Sequence, residues 1–294
     1  MNNQSVPPIR AQQGIEAMRI ALRLMRVEKP LCATSFAFLG AWLVAPLHML
    51  WSARMLTAAA CVGCITAFGF VINDCRDVAV DAIGRPERPL PAGRVKLSAA
   101  QALAYGLAAA GLLLGLALGS IPAMIAAGAV ALSGWYSYQL KGTVLLGNLC
   151  VALLVAGVLV FGAVVAGGTT PSVWIAAAIT FNFIAAQEVL FTLEDEDVDR
   201  AAGLTTTATL LGTTRTAWLV RALLAVFAVV GLVPWLTGIA SRTYAAAFAA
   251  LSIGPAALLY WWLRNPLSPA RIARAVRWSR LLWVTGFVPL SLLK

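Results

Sequence analysis

Two groups of acidic residues with the same internal spacing are the strongest chemical feature of this 294-residue sequence. The first group lies within residues 73–81, and the second contains the pattern Asp195-x-x-x-Asp199. Residues four positions apart share one face of a helix, so each group would present a line of oxygen atoms. Carboxylates this close repel one another unless a cation lies among them, and such a set of oxygen ligands suits Mg²⁺. The candidate metal ligands are Asn73, Asp74, Asp77, Asp81, Asp195 and Asp199.

Two helix ends of this kind, facing each other, would hold two Mg²⁺ ions bridged by a diphosphate. Two metal ions would neutralise a leaving diphosphate and so favour cleavage of a carbon–oxygen bond. The simplest alternative is that each acidic group is solvated charge at the end of a helix. The repeated spacing argues against that alternative. We therefore predict four catalytic aspartates, Asp77, Asp81, Asp195 and Asp199.

The composition indicates which elements carry these acids. Hydrophobic residues make up 61% of the chain and charged residues only 12%, whereas a soluble domain has about 25% charged residues. This excludes a soluble globule and a disordered chain, and the continuous apolar runs disfavour a β-barrel. We predict an all-α, polytopic membrane protein with about nine transmembrane helices around a central cavity that cytoplasmic loops cap. The predicted spans are Leu31–Leu50, Met55–Ile72, Ala99–Gly119, Ile121–Tyr138, Val144–Ala166, Ser172–Leu193, Ala217–Ile239, Thr243–Leu263 and Trp278–Leu293.

The placement of charge orients these spans. The formal net charge is +10, and with the N-terminus in the cytoplasm all Lys and Arg residues except Arg54, Arg242 and Lys294 fall on the cytoplasmic side. The positive-inside rule expects this, and the 12 Asp and Glu residues fall on the same side. We predict a multi-pass protein of the cell membrane, with residues 1–30 as a cytoplasmic segment, residues 31–294 as one transmembrane domain, and no nucleic-acid partner. Four predicted spans separate the two acidic motifs, so their helices would run in the same direction, as in a parallel repeat.

Other polar residues near the motifs are candidates for binding a phosphorylated substrate. The loop after the first motif holds Arg85, Arg88 and Arg94 among prolines and glycines, which give it a fixed path. These arginines either donate to phosphate oxygens or anchor the loop to lipid headgroups. Glu188 lies within the sixth predicted span, two turns before Asp195, where a carboxylate is costly. It is either a functional group that faces the cavity or a hydrogen-bonded structural acid.

With these residues the sequence resembles the UbiA superfamily of intramembrane prenyltransferases. The resemblance covers about residues 19 to 290. Its motifs are residues 73–81, Arg88-Pro-Leu-Pro-Ala-Gly93, the stretch from Tyr138 to Lys141, and Asp195-x-x-x-Asp199 ahead of Gly203. The resemblance implies an enzyme that binds a prenyl diphosphate through Mg²⁺ and ionises it to an allylic carbocation. A hydrophobic acceptor, aromatic or lipid-like, then attacks and diphosphate is released, while the polyprenyl tail lies in a channel open to membrane lipid.

The resemblance also implies roles for individual residues. The first motif would hold one Mg²⁺ ion and the second motif the other. Basic and aromatic residues outside the motifs would contact the diphosphate, the carbocation or the acceptor. With Glu188 added from its position alone, the predicted substrate-binding residues are Arg26, Lys29, Arg88, Tyr138, Lys141 and Glu188.

Departures from the family pattern leave the acceptor and the outcome of the reaction open. Many members carry Lys-Asp before the second motif, where this chain has Phe191-Thr192. The loop around Arg88 and the segment Leu146-Gly147-Asn148 look most like the branch that alkylates geranylgeranylglyceryl phosphate. A terpene cyclase on the same scaffold is one alternative to a prenyltransferase. A cation-coupled transporter is another, since intramembrane carboxylates and parallel repeats also occur in transporters.

Overall fold

The computed structural model describes residues 9–264 and 267–294, with side chains from residue 14 onward, and all regular secondary structure in this part of the chain is helical. The first eight residues of the predicted cytoplasmic segment, and residues 265–266, lie outside the described residues. The helices are α1 (Ile9–Met25), α2 (Glu28–Trp42), α3 (Ala53–Arg76), α4 (Val78–Gly84), α5 (Leu97–Leu118), α6 (Ser120–Trp135), α7 (Leu146–Ala166), α8 (Pro171–Glu194), α9 (Glu196–Ala201), α10 (Thr207–Leu211), α11 (Thr213–Leu236), α12 (Arg242–Phe248), α13 (Gly254–Trp262), α14 (Pro269–Ser279), α15 (Leu281–Thr285) and α16 (Phe287–Ser291). A 3₁₀ turn (Leu47–Trp51) follows α2, and π-helical turns follow α6 (Tyr136–Leu140) and α12 (Ala249–Ile253).

Six helical segments of the described chain are long and apolar enough to cross a membrane. They are α3, α5, α7, α8, α11 and the continuous segment Arg242–Trp262 that α12 and α13 form through their π turn. The other three predicted spans coincide with shorter or interrupted helices, namely α2, α6 with its π turn, and the end of α14 with α15 and α16. The all-α prediction is therefore confirmed, and the count of nine spans stays a prediction.

The first predicted span, Leu31–Leu50, ends earlier in the structure than the sequence pattern indicates. Helix α2 ends at Trp42, and the chain then passes through Pro46 into the 3₁₀ turn. Proline has no N–H to donate to the carbonyl four residues before it, and it disfavours helical geometry in the residue that precedes it. The apolar run continues past the proline, but the helix does not.

The last predicted span, Trp278–Leu293, is interrupted at two places. Helix α14 ends at Ser279, and α15 and α16 are separated at Gly286. Pro289 cannot donate to the carbonyl of Thr285, so one bond of a continuous helix is missing at this point. The C-terminal segment is consequently a series of short helices rather than one straight span.

Close contact between α2 and α7 depends on two glycines. A Cβ atom at Gly162 would overlap the carbonyl oxygen of Ala37, and a Cβ at Gly40 would overlap that of Leu159. Small residues allow two helix backbones to approach in this way, which is the usual packing of helices within membranes. The contact holds α2 against the centre of the helix bundle.

Helix α8 has buried residues along its whole length, from Val173 to Leu193, and it packs against α7, α11 and α14. Helix α3 packs against α2 and α5 and is also largely buried. These two helices lead directly into the two acidic motifs. The motifs therefore extend from the most firmly packed helices of the molecule.

Candidate functional site

The two acidic motifs have the same backbone geometry. Asp77 separates α3 from α4 with φ −90° and ψ 7°, and Asp195 separates α8 from α9 with φ −93° and ψ 2°. This part of φ/ψ space is sparsely populated and is common at functional sites. The i to i+4 backbone bonds continue through both junctions, with Asp81 N to Asp77 O at 2.7 Å and Asp199 N to Asp195 O at 2.8 Å. The aspartates of each motif thus lie one turn apart, and the predicted internal repeat is confirmed as a repeat of local structure.

The structure brings the two motifs together at one end of the bundle. The short helices α4 and α9 pack against each other, and a Cβ at Gly84 would come within 2.7 Å of a methyl group of Val198. Arg85, the residue after α4, donates from Nη2 to Oδ1 of Asp195 at 2.7 Å. The expected convergence of two aspartate-bearing helix ends is therefore present in the structure.

Basic side chains neutralise the buried aspartates of the first motif, of which Asp74, Asp77 and Asp81 are at most 5% exposed. Arg26 donates to Asp74 at 2.5 Å, and Nη1 of Arg88 donates to both carboxylate oxygens of Asp81 at 2.7 Å. Lys141 forms an ion pair with Asp77. Burial of a carboxylate is costly unless it is paired, so these contacts are what allow the acids to be enclosed.

The side chain of Asn73 indicates whether the first acidic motif fits a metal ion. Its Nδ2 donates to Oδ2 of Asp77 at 2.6 Å, whereas its Oδ1 is buried and has no hydrogen-bond partner. In the described part of the chain no three carboxylate, histidine or cysteine groups already converge as a metal site. A buried amide oxygen without a partner beside three carboxylates is nevertheless a donor set that a hard cation such as Mg²⁺ prefers. The residues present fit Mg²⁺.

The second motif is more open than the first. Asp195 is partly exposed, whereas Asp199 is buried. Burial raises the pKa of Asp199 above its ordinary value, and the neighbouring Thr206 side chain opposes this rise. The ionised form that a cation needs is thus lost at a higher pH than for an exposed aspartate. Glu196 has a different role, since it accepts from Arg200 at 2.6 Å and from Thr213 at 2.9 Å and so ties α9 to the start of α11.

Two tyrosines, Tyr136 and Tyr138, lie in the π-helical turn after α6. Tyr138, the predicted substrate contact, is 44% exposed, and the guanidinium of Arg76 lies 4.5 Å from the centre of its ring. Tyr136, two residues earlier, is electrostatically influenced by Asp77, Asp199 and Glu188. A π-helical turn begins at Tyr136, and such turns are frequent at functional sites. Nothing in the structure tests Tyr138 as a substrate contact, so it stays a prediction, and we propose Tyr136 as a second candidate.

A pair of conservative variants tests this proposal. We expect Tyr136→Phe to lower kcat/KM at this site about tenfold, because the hydroxyl on which the charges of Asp77, Asp199 and Glu188 act is lost. Tyr138→Phe should keep nearly full activity, since this side chain faces outward. Initial rates of turnover measure both. The assignment is wrong if Tyr138→Phe is the more damaging change.

Glu188 and Lys29 complete the group. Glu188 lies on α8 two turns before Asp195, and Lys29 and Asp195 are the charged groups that act on it. It makes no hydrogen bond or ion pair with any residue that the structure describes, so the structural-acid interpretation has no partner to support it. Of the predicted substrate-binding residues, Arg26, Arg88 and Lys141 form ion pairs with the acids of the first motif. Lys29 and Glu188 influence each other electrostatically, and Tyr138 contacts Arg76. Sequence reasoning missed Tyr136 altogether.

Comparisons with known proteins find similar sequences over most of the chain. The model of the UbiA prenyltransferase family matches residues 33–284. A curated digeranylgeranylglyceryl phosphate synthase from Ignicoccus hospitalis is 33% identical over 269 residues, which are 88% of this chain and 82% of that protein. The synthase of the same name from Methanopyrus kandleri is 39% identical over 155 residues, and the match is 52% of this chain. The chain spans 55% of the length of the Methanopyrus protein and 58% of that of the Methanoculleus marisnigri relative.

Solved structures show the same fold at lower sequence identity. A digeranylgeranylglyceryl phosphate synthase structure superposes with a TM-score of 0.74 at 22% identity and covers 93% of this chain and 97% of that one. A UbiA homologue from Archaeoglobus fulgidus bound to GPP and Mg²⁺ superposes with a TM-score of 0.72 at 20% identity and covers 92% of this chain and 99% of that one.

Proposed function

The chain belongs to the UbiA prenyltransferase family, and from that membership we propose that it is a Mg²⁺-dependent intramembrane prenyltransferase. It moves a polyprenyl group from a prenyl diphosphate to a lipid-like acceptor and releases diphosphate. The observation that carries the proposal is the contact between the two aspartate-bearing helix ends, made by Arg85 with Asp195 and by Gly84 with Val198. Relatives bound to GPP or DMAPP with Mg²⁺ support the choice of donor and metal.

The proposed arrangement in the membrane follows from charge. Residues 31–294 form one domain of nine spans around a central cavity in the cell membrane, and residues 1–30 lie in the cytoplasm. The acidic motifs and their loops meet at one end of the bundle, and the predicted positive-inside orientation makes that end cytoplasmic. Lys141 and the arginines at the motifs all belong to this end.

The two motifs divide the metal ligands between them. Asn73, Asp77 and Asp81, with Asp74 nearby, would hold one Mg²⁺ ion, and Asp195 and Asp199 would hold the second. Bound there, Mg²⁺ supplies positive charge that stabilises diphosphate as a leaving group.

The basic residues that bind the aspartates can also bind the diphosphate of the substrate. Arg26, Arg88 and Lys141 each bind a carboxylate of the first motif, and Arg85 binds one of the second. Forked guanidinium groups and an ammonium suit phosphate oxygens as well as carboxylates. We assign them to the diphosphate, where they stabilise the charge that develops as the carbon–oxygen bond breaks. We assign Lys29 to the donor or the acceptor, because its charge acts on Glu188.

Glu188 is the residue that we assign to the acceptor. The carbon–oxygen bond of the donor breaks with its electron pair leaving on the diphosphate, and a lone pair of the acceptor hydroxyl forms the new bond to the allylic carbon. The hydroxyl proton passes to the Glu188 carboxylate, which has no competing ion pair among the described residues. The acceptor that we favour is the hydroxyl of a prenylated glyceryl phosphate, because the curated relatives are digeranylgeranylglyceryl phosphate synthases. An aromatic acceptor is the second class to be tested.

Product analysis of the purified protein in detergent tests the function. We expect diphosphate release from geranylgeranyl diphosphate to require both Mg²⁺ and geranylgeranylglyceryl phosphate, and to stop when EDTA removes the metal. Aromatic acids with a hydroxyl group are the parallel acceptor panel. A cyclic hydrocarbon formed without any acceptor would replace the transferase by a terpene cyclase. Solute flux in proteoliposomes without diphosphate release would replace it by a transporter.

The role of Glu188 has a separate readout. We expect Glu188→Gln to lower kcat for transfer about 10²-fold, because the base that takes the acceptor proton is lost. The dissociation constant of geranylgeranyl diphosphate should stay the same, since the donor binds at the motifs. Glu194→Gln, which changes an exposed acid on the same helix, is the matched control and should behave like the wild type. Equal loss in the two variants would contradict the role of Glu188.

A further inference from the structure

Arg221 is a buried cation within a membrane-length helix, away from the acidic motifs. It lies on α11, and its side chain and backbone together are only 9% exposed. The guanidinium is held between two aromatic rings, 4.0 Å from the centre of the Trp218 ring and 4.1 Å from that of Tyr260. These contacts join α11 to α13. A charge placed in such a segment is costly, and it marks a functional site unless it is paired.

The pairing of Arg221 is incomplete. The two rings attract the charge of the guanidinium, but they are not the oxygen acceptors that its N–H donors need. Its Nε is buried and has no hydrogen-bond partner. Within the described part of the chain, no carboxylate forms an ion pair with it. A stack that served only to hold two helices together would leave the buried Nε unsatisfied, so the arrangement indicates an acceptor from outside the chain.

The surroundings indicate the chemistry of that acceptor. Arg221 lies about 12 Å along α11 from the first residue of that helix. Exposed Arg215 is near the start of α11, and exposed Arg264 follows the end of α13. Glu196, the acid tied to the start of α11, is already paired with Arg200 and Thr213. The open edge of the site is therefore cationic and needs an anion.

The position on the bundle indicates that the anion is part of a lipid. Trp218 is 55% exposed. Further along the same face of α11, Val226 and Val229 are also exposed. Tryptophan at this depth is typical of the level of lipid headgroups, and an apolar stripe beside it suits an acyl chain. We propose that Arg221, clamped by Trp218 and Tyr260, binds the phosphate of an anionic phospholipid from the surrounding leaflet. Planar arginine rather than lysine fits such a site because it stacks and donates at the same time.

Lipid binding by the intact, detergent-purified protein tests the proposal. Native mass spectrometry during titration with phosphatidylglycerol gives the affinity of the first bound lipid. We expect Arg221→Ala to weaken it about tenfold, which corresponds to loss of one charge-assisted hydrogen bond. Arg242→Ala is the matched control, since it removes an exposed arginine from the start of α12, and it should bind phosphatidylglycerol like the wild type.

A second variant and a competition experiment distinguish loss of lipid binding from loss of the fold and from binding of a free anion. Arg221→Lys retains the charge and protects the fold, and we expect it also to bind several-fold more weakly while its melting temperature stays at the wild-type value. Excess inorganic phosphate should not displace the lipid, because the site also uses the acyl chain. Wild-type affinity in Arg221→Ala or Arg221→Lys would overturn the proposal, as would equal weakening in Arg242→Ala. Displacement by inorganic phosphate would assign the site to a free anion instead of a lipid.

Discussion

Replacing Asp77 by asparagine is expected to lower kcat/KM for geranylgeranyl diphosphate about 10³-fold. Asp77 is the junction between α3 and α4, and it is bound by both Asn73 and Lys141. Asparagine keeps the size and the hydrogen-bonding ability of the side chain but removes the charge that a divalent cation needs, and a metal that stabilises the leaving group is worth several kcal/mol. The rate of diphosphate release at saturating Mg²⁺ measures the effect.

The matched control for this variant is Asp197→Asn, because Asp197 is an exposed acid on α9 beside the second motif. The charge change is the same, so a general electrostatic effect would appear in both variants. We expect Asp197→Asn to stay within about twofold of the wild type. If folded Asp77→Asn retained more than a tenth of the activity, the metal-binding role of the first motif would be wrong.

Replacing Lys141 by methionine is expected to cost about 10²-fold in kcat/KM. Lys141 is paired with buried Asp77, and in the proposed mechanism it turns to the diphosphate. The variant therefore loses a donor to the leaving group, an interaction of the class that is worth about 10²-fold or more when a single group is removed. Initial rates over a range of donor concentrations show whether the loss lies in kcat, as expected for a group that acts on the leaving diphosphate.

The Lys141→Met variant should also differ from the wild type in how its melting temperature responds to Mg²⁺. Without Lys141 the buried Asp77 carboxylate loses its ion pair, and this lowers the free energy of unfolding. Added Mg²⁺ should then raise the melting temperature of Lys141→Met more than that of the wild type, since the ion replaces the lost positive charge. Lys96→Met removes an exposed lysine before α5 and is the control. Identical Mg²⁺ responses in the two variants would speak against a cation site at Asp77.

The two acidic motifs were predictable from the sequence as a candidate site, because aspartates repeat in them at a fixed spacing. The Asp-x-x-x-Asp pattern occurs twice, and helical geometry alone places each pair on one face. Long apolar runs also predict the position of the helices well, as α8 (Pro171–Glu194) shows against a predicted span of Ser172–Leu193. These segments are almost entirely apolar, so the ends of the helices fall where polar residues begin.

Neither motif spacing nor hydropathy predicts three features of the structure. The ion pair of Arg85 with Asp195 joins two distant parts of the chain, and only the packing of α4 on α9 creates it. The π-helical turn that begins at Tyr136, in which Tyr136 is less exposed than Tyr138, has no counterpart in the motif spacing. The ends of α2 and α15 depend on single prolines within apolar runs, where hydropathy continues although backbone hydrogen bonding does not.

Counting bound Mn²⁺, as a substitute for Mg²⁺, in the presence of diphosphate tests the central claim most directly. Electron paramagnetic resonance of the purified protein gives the number of ions bound per chain. If the two motifs grip one diphosphate, the wild type binds two ions together with diphosphate, and Asp77→Asn and Asp195→Asn each bind at most one. Two ions retained in both variants, or diphosphate binding that is independent of the divalent ion, would contradict the account.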